Sequence, residues 1–149
     1  MKKKWMLVCP MLMMAISGCS KSTNNELEYG RYYAWNGSAD EIKITAETSS
    51  YRIINISTST FTTKDYDEKG LKTTEKKYLV RGNCLFTEST TENDDEETHF
   101  VYSYDFGKGY LKYLGGTVSQ YGSWSYFRFY INESFAKKLG VTIIDEVSK

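Results

Sequence analysis

Along most of this chain apolar side chains recur at every second residue, the spacing that places them on one face of a pleated strand. Tyr29, Arg31, Tyr33 and Trp35 alternate with Gly30, Tyr32 and Ala34. Ile42 and Ile44 alternate with Glu41, Lys43 and Thr45, which reads as a half-buried strand with one wet face. β-Branched residues continue from Tyr51 to Thr58, and Lys72–Val80 is expected to turn Tyr78 and Val80 inward. Cys84–Thr90 is expected to do the same with Cys84 and Phe86. Phe100, Tyr102, Tyr104 and Phe106 would share one face of the next strand, followed by strands at Tyr110–Leu114 and Trp124–Ile131.

The links between these runs suit hairpins. Arg81-Gly82-Asn83-Cys84 and Phe106-Gly107-Lys108-Gly109 place glycine where a tight turn needs positive φ. Asp67-Glu68-Lys69-Gly70 fits a type I turn closed by a left-handed glycine. The one proline, Pro10, precedes every strand, so none is barred from a central place in a sheet. Asn132 can cap a helix over Glu133–Leu139 that stops at Gly140, with Phe135 and Leu139 turned to the sheet and Val141–Ile144 as a closing strand. The predicted fold is all-β, an antiparallel meander of about eight strands with one short C-terminal helix. Its strand–helix–strand ending resembles the lipocalin architecture. So does Gly30-Arg31-Tyr32-Tyr33-Ala34-Trp35, near the place where lipocalins carry a Gly and a Trp at closer spacing. The resemblance implies a barrel whose closure removes the exposed edges.

The start of the chain has a different character. Lys2, Lys3 and Lys4 precede an uncharged run, Trp5 to Ile16, of a signal-peptide length. A spanning helix needs roughly 20 apolar residues, so this run is too short to remain as an anchor. Ile16-Ser17-Gly18-Cys19 follows. It resembles the lipobox of bacterial lipoproteins, an aliphatic residue, two small ones and a cysteine, position by position. The resemblance implies cleavage after Gly18 and a thioether from Cys19 to diacylglycerol, with acyl chains such as palmitate. An ordinary secretory signal that happens to end near a cysteine is the alternative. Residues 1–18 are thus read as signal peptide, 19–28 as a lipidated flexible tether and 29–149 as a single β-domain. Two or more acyl chains hold a protein durably at a membrane, where one does not. Ser20, in place of Asp, implies the outer membrane if the organism has one. The expected location is a cell membrane or outer membrane, facing away from the cytoplasm.

Removing residues 1–18 from the 149 leaves 131, which suits one domain. Three of the 19 Lys and Arg go with the leader while all 19 Asp and Glu stay, so the mature part carries −3 with His99 neutral. That balance argues against nucleic acid as a partner. Cys9 leaves with the leader and Cys19 is taken by lipid, so Cys84 is expected as a buried, inert thiol outside any disulfide.

Catalytic signals are sparse. The single histidine, His99, stands beside Glu96, Glu97 and Thr98, where a solvated ring is expected. Gly122-Ser123-Trp124 lacks the second glycine of a nucleophile elbow. Glu92-Asn93-Asp94-Asp95-Glu96-Glu97 lacks the spacing of a calcium loop and reads as a solvated loop tip that deters edge pairing. No catalytic residue, metal or cofactor is therefore predicted, and the domain is read as non-enzymatic. Tyr33, Trp35, Tyr102, Tyr104, Trp124 and Tyr126 are the candidate ligand-binding residues, because Tyr and Trp line apolar pockets with a polar rim. Two functions fit. One is binding of a small apolar or amphipathic molecule in a barrel mouth. The other is an envelope protein-interaction module, such as an inhibitor of a lytic enzyme. Cys19→Ser is expected to move the protein from the membrane pellet to the soluble fraction; unchanged membrane retention would exclude the lipid anchor.

Overall fold

The structure, a computed structural model, describes residues 27–90, 98–114 and 129–148. Eleven strands and one helix occur among them. In order they are β1 (Gly30–Ala34), β2 (Glu41–Ile44), β3 (Tyr51–Ile56), β4 (Phe61–Asp67), β5 (Gly70–Lys76), β6 (Tyr78–Arg81), β7 (Cys84–Thr90), β8 (Thr98–Gly107), β9 (Tyr110–Tyr113), β10 (Phe129–Asn132), the helix α1 (Glu133–Leu139) and β11 (Thr142–Asp145). Nine strands form one antiparallel, barrel-like sheet in the order β5-β4-β3-β1-β10-β9-β8-β7-β6. Its two edges, β5 and β6, are consecutive in sequence, so the sheet curls back to a nearly closed seam beside Lys77.

The central strands are apolar on both faces. Tyr32 and Tyr33 in β1, Ile53 and Ile54 in β3, and Tyr130 and Ile131 in β10 are adjacent pairs that are all buried. Inside the barrel, Tyr32, Ile54, Ile56, Phe61, Leu85, Tyr104, Phe106, Leu111 and Tyr130 form one core. Outside it, Tyr33, Ile53 and Ile131 pack with Ile42, Ile44, Ala136 and Val141 in a second core. That outer layer is α1 together with β2 and β11, which pair in parallel apart from the main sheet. A fully buried side chain of this size contributes about 1.5–3 kcal/mol, so two-sided burial makes these strands the stable centre.

The helix forms as its sequence predicts. The Asn132 side chain accepts from the Phe135 N–H at 2.9 Å, and Gly140 ends the helix at φ +76°. Ala136 is its buried residue, while Leu139 is 47% exposed rather than turned to the sheet.

Several expectations are corrected in detail. Phe61–Asp67 is a strand that the alternation did not reveal, and Lys72–Val80 breaks at Lys77 into β5 and β6. Of the expected Trp124–Ile131 strand, residues before Phe129 lie outside the described set. The four aromatics of β8 do not share a face. Leu85 pairs with Tyr104 but Phe86 pairs with Tyr102, so Ser103 is an extra residue that shifts the register. Tyr104 and Phe106 therefore point inward, and Tyr102 points outward against Phe86, with ring centroids 5.2 Å apart. Leu85, not Phe86, fills the interior position on β7. Cys84 is fully buried, but it is disulfide-bonded rather than the lone thiol expected, with its partner outside the described residues.

Gly109 ties the β8–β9 turn to the helix start. Its φ is +91°, and a Cβ there would lie 2.8 Å from the Phe135 Cβ and 2.9 Å from the Asn132 Oδ1. Gly109→Ala is expected to cost more than about 1 kcal/mol, from strain and from displacement of the cap. Leu111→Ala, in the inner core, should cost about 2–5 kcal/mol and Leu139→Ala less than about 0.5 kcal/mol. Urea unfolding of the three variants measures the ranking; an equal cost for Leu111 and Leu139 would contradict the assigned faces.

Candidate functional site in the barrel mouth

The inward positions of β3, β4 and β5 change from apolar to polar along the barrel. Across the three strands Ile54, Thr63 and Thr74 pair in one row. The row beyond it is Arg52, Asp65 and Lys72. Thr87, Ser89, Val101 and Ser103 of β7 and β8, on the other side of the seam, line the same cavity. Together with Lys76, Phe61, Tyr104 and Tyr113 these residues enclose an open cavity of about 400 Å³. That volume lies at the small end of ligand sites, roughly 300–1,000 Å³.

The floor is aromatic. Tyr104 lies 5.3 Å from Phe61 and 5.2 Å from Tyr113, centroid to centroid, and meets Tyr130 edge-on at 6.3 Å. Burial, and after it the neighbouring Tyr130, pushes the Tyr104 phenol up, so it presents a neutral ring. The walls are hydroxylic, with Thr87 Oγ1 and Ser103 Oγ bonded at 2.7 Å. The extra residue in β8 is what brings Ser103 to this wall.

One ion pair spans the cavity side. Arg52 donates from Nε to Asp65 Oδ1 at 2.5 Å and from Nη2 to Oδ2 at 3.0 Å. Burial opposes the Arg52 charge, but the Asp65 carboxylate outweighs it and the guanidinium pKa is raised. A forked pair of this kind fixes both side chains. Lys72 faces the far side of Asp65 across the β4–β5 ladder, and Lys76 stands opposite Phe61. Neither lysine makes an ion pair with a described residue. The lining so described holds three cations and one anion.

A larger groove, about 580 Å³, opens beside Glu28, Arg31, Glu133 and Ser134. Its polar groups are largely committed to one another: Glu28 Oε1 accepts from Asn132 Nδ2 at 2.7 Å and from Ser134 Oγ at 3.4 Å. Among the described residues no group of three or more His, Cys, Asp or Glu is placed to hold a metal ion.

Of the described aromatic candidates, Tyr104 alone lines the mouth. Tyr33 lies on the outer face, where its hydroxyl donates to Asp145 Oδ2 at 2.8 Å. Trp35 is outside as well, its Nε1 donating to the Ala39 carbonyl at 2.8 Å. The outward Tyr102 donates to Asp105 Oδ1. Trp124, Tyr126, Cys19 and the acidic run at 92–97 lie outside the described residues. His99 is exposed and pairs across from Ser89, at the rim. The residues that sequence reasoning missed are Arg52, Asp65, Lys72 and Lys76. Their signal was a strand pattern whose inward positions are polar. No protein-family model matches the chain, and neither a curated protein nor a solved structure matches it.

Two buried tyrosines set an alkaline limit on this architecture. Burial, and then the Asp145 hydrogen bond, pushes the Tyr33 pKa up to about 12. Burial, partly offset by Arg52, pushes Tyr130 up to about 12. The ordinary value is 10.0, so between these limits the folded chain holds protons that the unfolded chain has released. Their contribution to stability is complete below about pH 10 and is lost as pH rises toward 12. The urea midpoint should therefore fall over that window, and less steeply in Tyr33→Phe and Tyr130→Phe; identical alkaline profiles in wild type and both variants would contradict this.

Proposed function

We propose that the chain is a lipid-anchored, extracytoplasmic binding protein that takes a small amphipathic molecule into the barrel mouth. The observation that carries the reading is the cavity itself, with a ring-lined floor and polar walls. Tyr32, Phe106, Leu111 and Tyr130 pack the inner half of the barrel, so the guest's place is the mouth. The polar walls favour an amphipathic guest over a wholly apolar one. Binding is favoured over catalysis because the described lining offers no histidine or cysteine, and its one carboxylate is held by Arg52.

The anchor rests on the leader and on Ile16-Ser17-Gly18-Cys19. A Cys19 thioether and a disulfide between Cys19 and Cys84 exclude each other chemically. Peptide mass mapping of membrane-extracted protein separates them: an acylated N-terminal Cys19 supports the anchor, and a linkage of Cys84 to Cys19, or to Cys9 of an uncleaved leader, overturns it. For the mouth, native mass spectrometry of cell-derived protein should detect a co-purifying molecule that Ser89→Trp, which fills the cavity, removes. Protein that carries no guest and leaves a hydrophobic dye unbound would overturn the binding reading.

A docking role has one specific support. Leu79, Phe86 and Tyr102 form a row across the outer face of β6, β7 and β8, with Phe100 beside it. Leu79 is 42% and Phe100 37% exposed. Leu79→Ser with Phe100→Ser should abolish capture of an envelope protein if this face docks one; capture unchanged by the pair would exclude that face.

A further inference from the structure

We propose that the guest of the barrel mouth is a sugar bearing an oxyanion, either a carboxylate or a phosphate. The inference rests on the binding reading above and adds the ligand class to it. Charge is the first argument. Arg52, Lys72 and Lys76 face the cavity against Asp65 alone, a surplus of two positive charges among the described lining residues. Asp65 occupies the guanidinium fork, whereas the two lysines have no described ionic partner. Of the other acids of these strands, Glu75, Glu88 and Asp105 alternate onto the outer face, and Asp67, at the end of β4, accepts from the Lys69 N–H in the turn; none of the four lines the cavity. An anion entering the mouth therefore meets two ammonium groups of β5 that have no ionic partner among the described residues.

The hydroxyls of the lining supply the second argument. Thr87, Ser89 and Ser103 of β7 and β8 line the same cavity as those lysines. Hydroxyls both donate and accept, which suits the alternating hydroxyls of a sugar better than a hydrocarbon chain. The third argument is the floor. Tyr113 is half-buried beside Tyr104, and an aromatic ring there gives the apolar face of a sugar ring a surface to lie on. An inorganic anion would use the lysines and leave the hydroxyl wall and the floor unfilled. A neutral sugar would leave the two charges unanswered.

The test is calorimetric titration of the purified chain with glucuronate, glucose 6-phosphate, inorganic phosphate, glucose and octyl glucoside. One or both of the charged sugars should bind more tightly than glucose by about tenfold, with an affinity that falls as salt rises. Lys72→Gln with Lys76→Gln should erase that preference and leave the thermal unfolding of the chain unchanged, since Lys72 is exposed on an edge strand. Lys112→Gln, on the outer face of β9, is the control and should change nothing. Glucose or octyl glucoside bound as tightly as the charged sugars overturns the oxyanion and leaves the binding reading standing. Inorganic phosphate bound as tightly as glucose 6-phosphate overturns the sugar. No binding of any of the five overturns both.

Discussion

On the outer face of the sheet Tyr33 lies directly across from Ile53 and from Ile131, while on the inner face Tyr32 lies across from Ile54. Each central strand thus spends two adjacent residues on two separate cores. A slip of one residue in β1 would exchange Tyr32 and Tyr33 between environments that their hydroxyls do not share. The Tyr32 hydroxyl donates to the Glu28 carbonyl at 2.6 Å, and the Tyr33 hydroxyl to Asp145. Burial opposes the Asp145 charge, yet hydrogen bonds from Ser148 and Tyr33 hold its carboxyl below the usual value. The polar tips therefore pin the register that the apolar bodies stabilise. From that centre the sheet extends in both directions with one face only to bury.

This asymmetry positions the mouth. Away from β1, β3 and β10 the outer layer ends, and the inward side chains no longer have to be apolar. β4 and β5 turn threonines, an aspartate and two lysines inward because the interior there is open to water. The β7–β8 wall is adjusted by the register shift in β8. Were the ladder unshifted, Ser103 would fall opposite Phe86 on the outer face and Tyr102 opposite Thr87 in the interior, and the wall would lose a hydroxyl. The same shift sends Tyr102 outward to Phe86, so one inserted residue shapes both the cavity and the outer aromatic row.

The architecture was legible wherever a strand buries a regular apolar face. Ile42 and Ile44, the glycine turns and the Asn132-to-Gly140 helix all announce themselves through short-range chemistry. The two-residue rhythm also indicated an antiparallel, barrel-like sheet. It failed where the environment departs from apolar-in and polar-out. Phe61–Asp67 was missed because Thr63 and Asp65 face a wet interior, so its inward residues look like a surface. The Phe100-to-Phe106 run misled because alternation assumes unbroken register, and an inserted residue reverses sidedness without changing composition. The parallel pairing of β2 with β11 joins segments about a hundred residues apart, and nothing local to Ile42 or Ile143 encodes it. The candidate site was illegible for the same reason as β4. Aromatic residues drew attention, and the charged residues that line the mouth did not.

The seam between β5 and β6 is also a mechanical element. Both strands lack a ladder partner on one side, and β6 is only four residues long. Opening free energies are lowest at such margins and highest at the centre, so amide exchange should be quickest there. The lysine-bearing wall thus lies at the margin of the sheet, whereas the Tyr104 ring of the floor is packed into the inner core. A guest would be received on a fixed bed by a hinged cheek. Adjustments to its size would be absorbed at the slit beside Lys77, without any disturbance of the packing beneath.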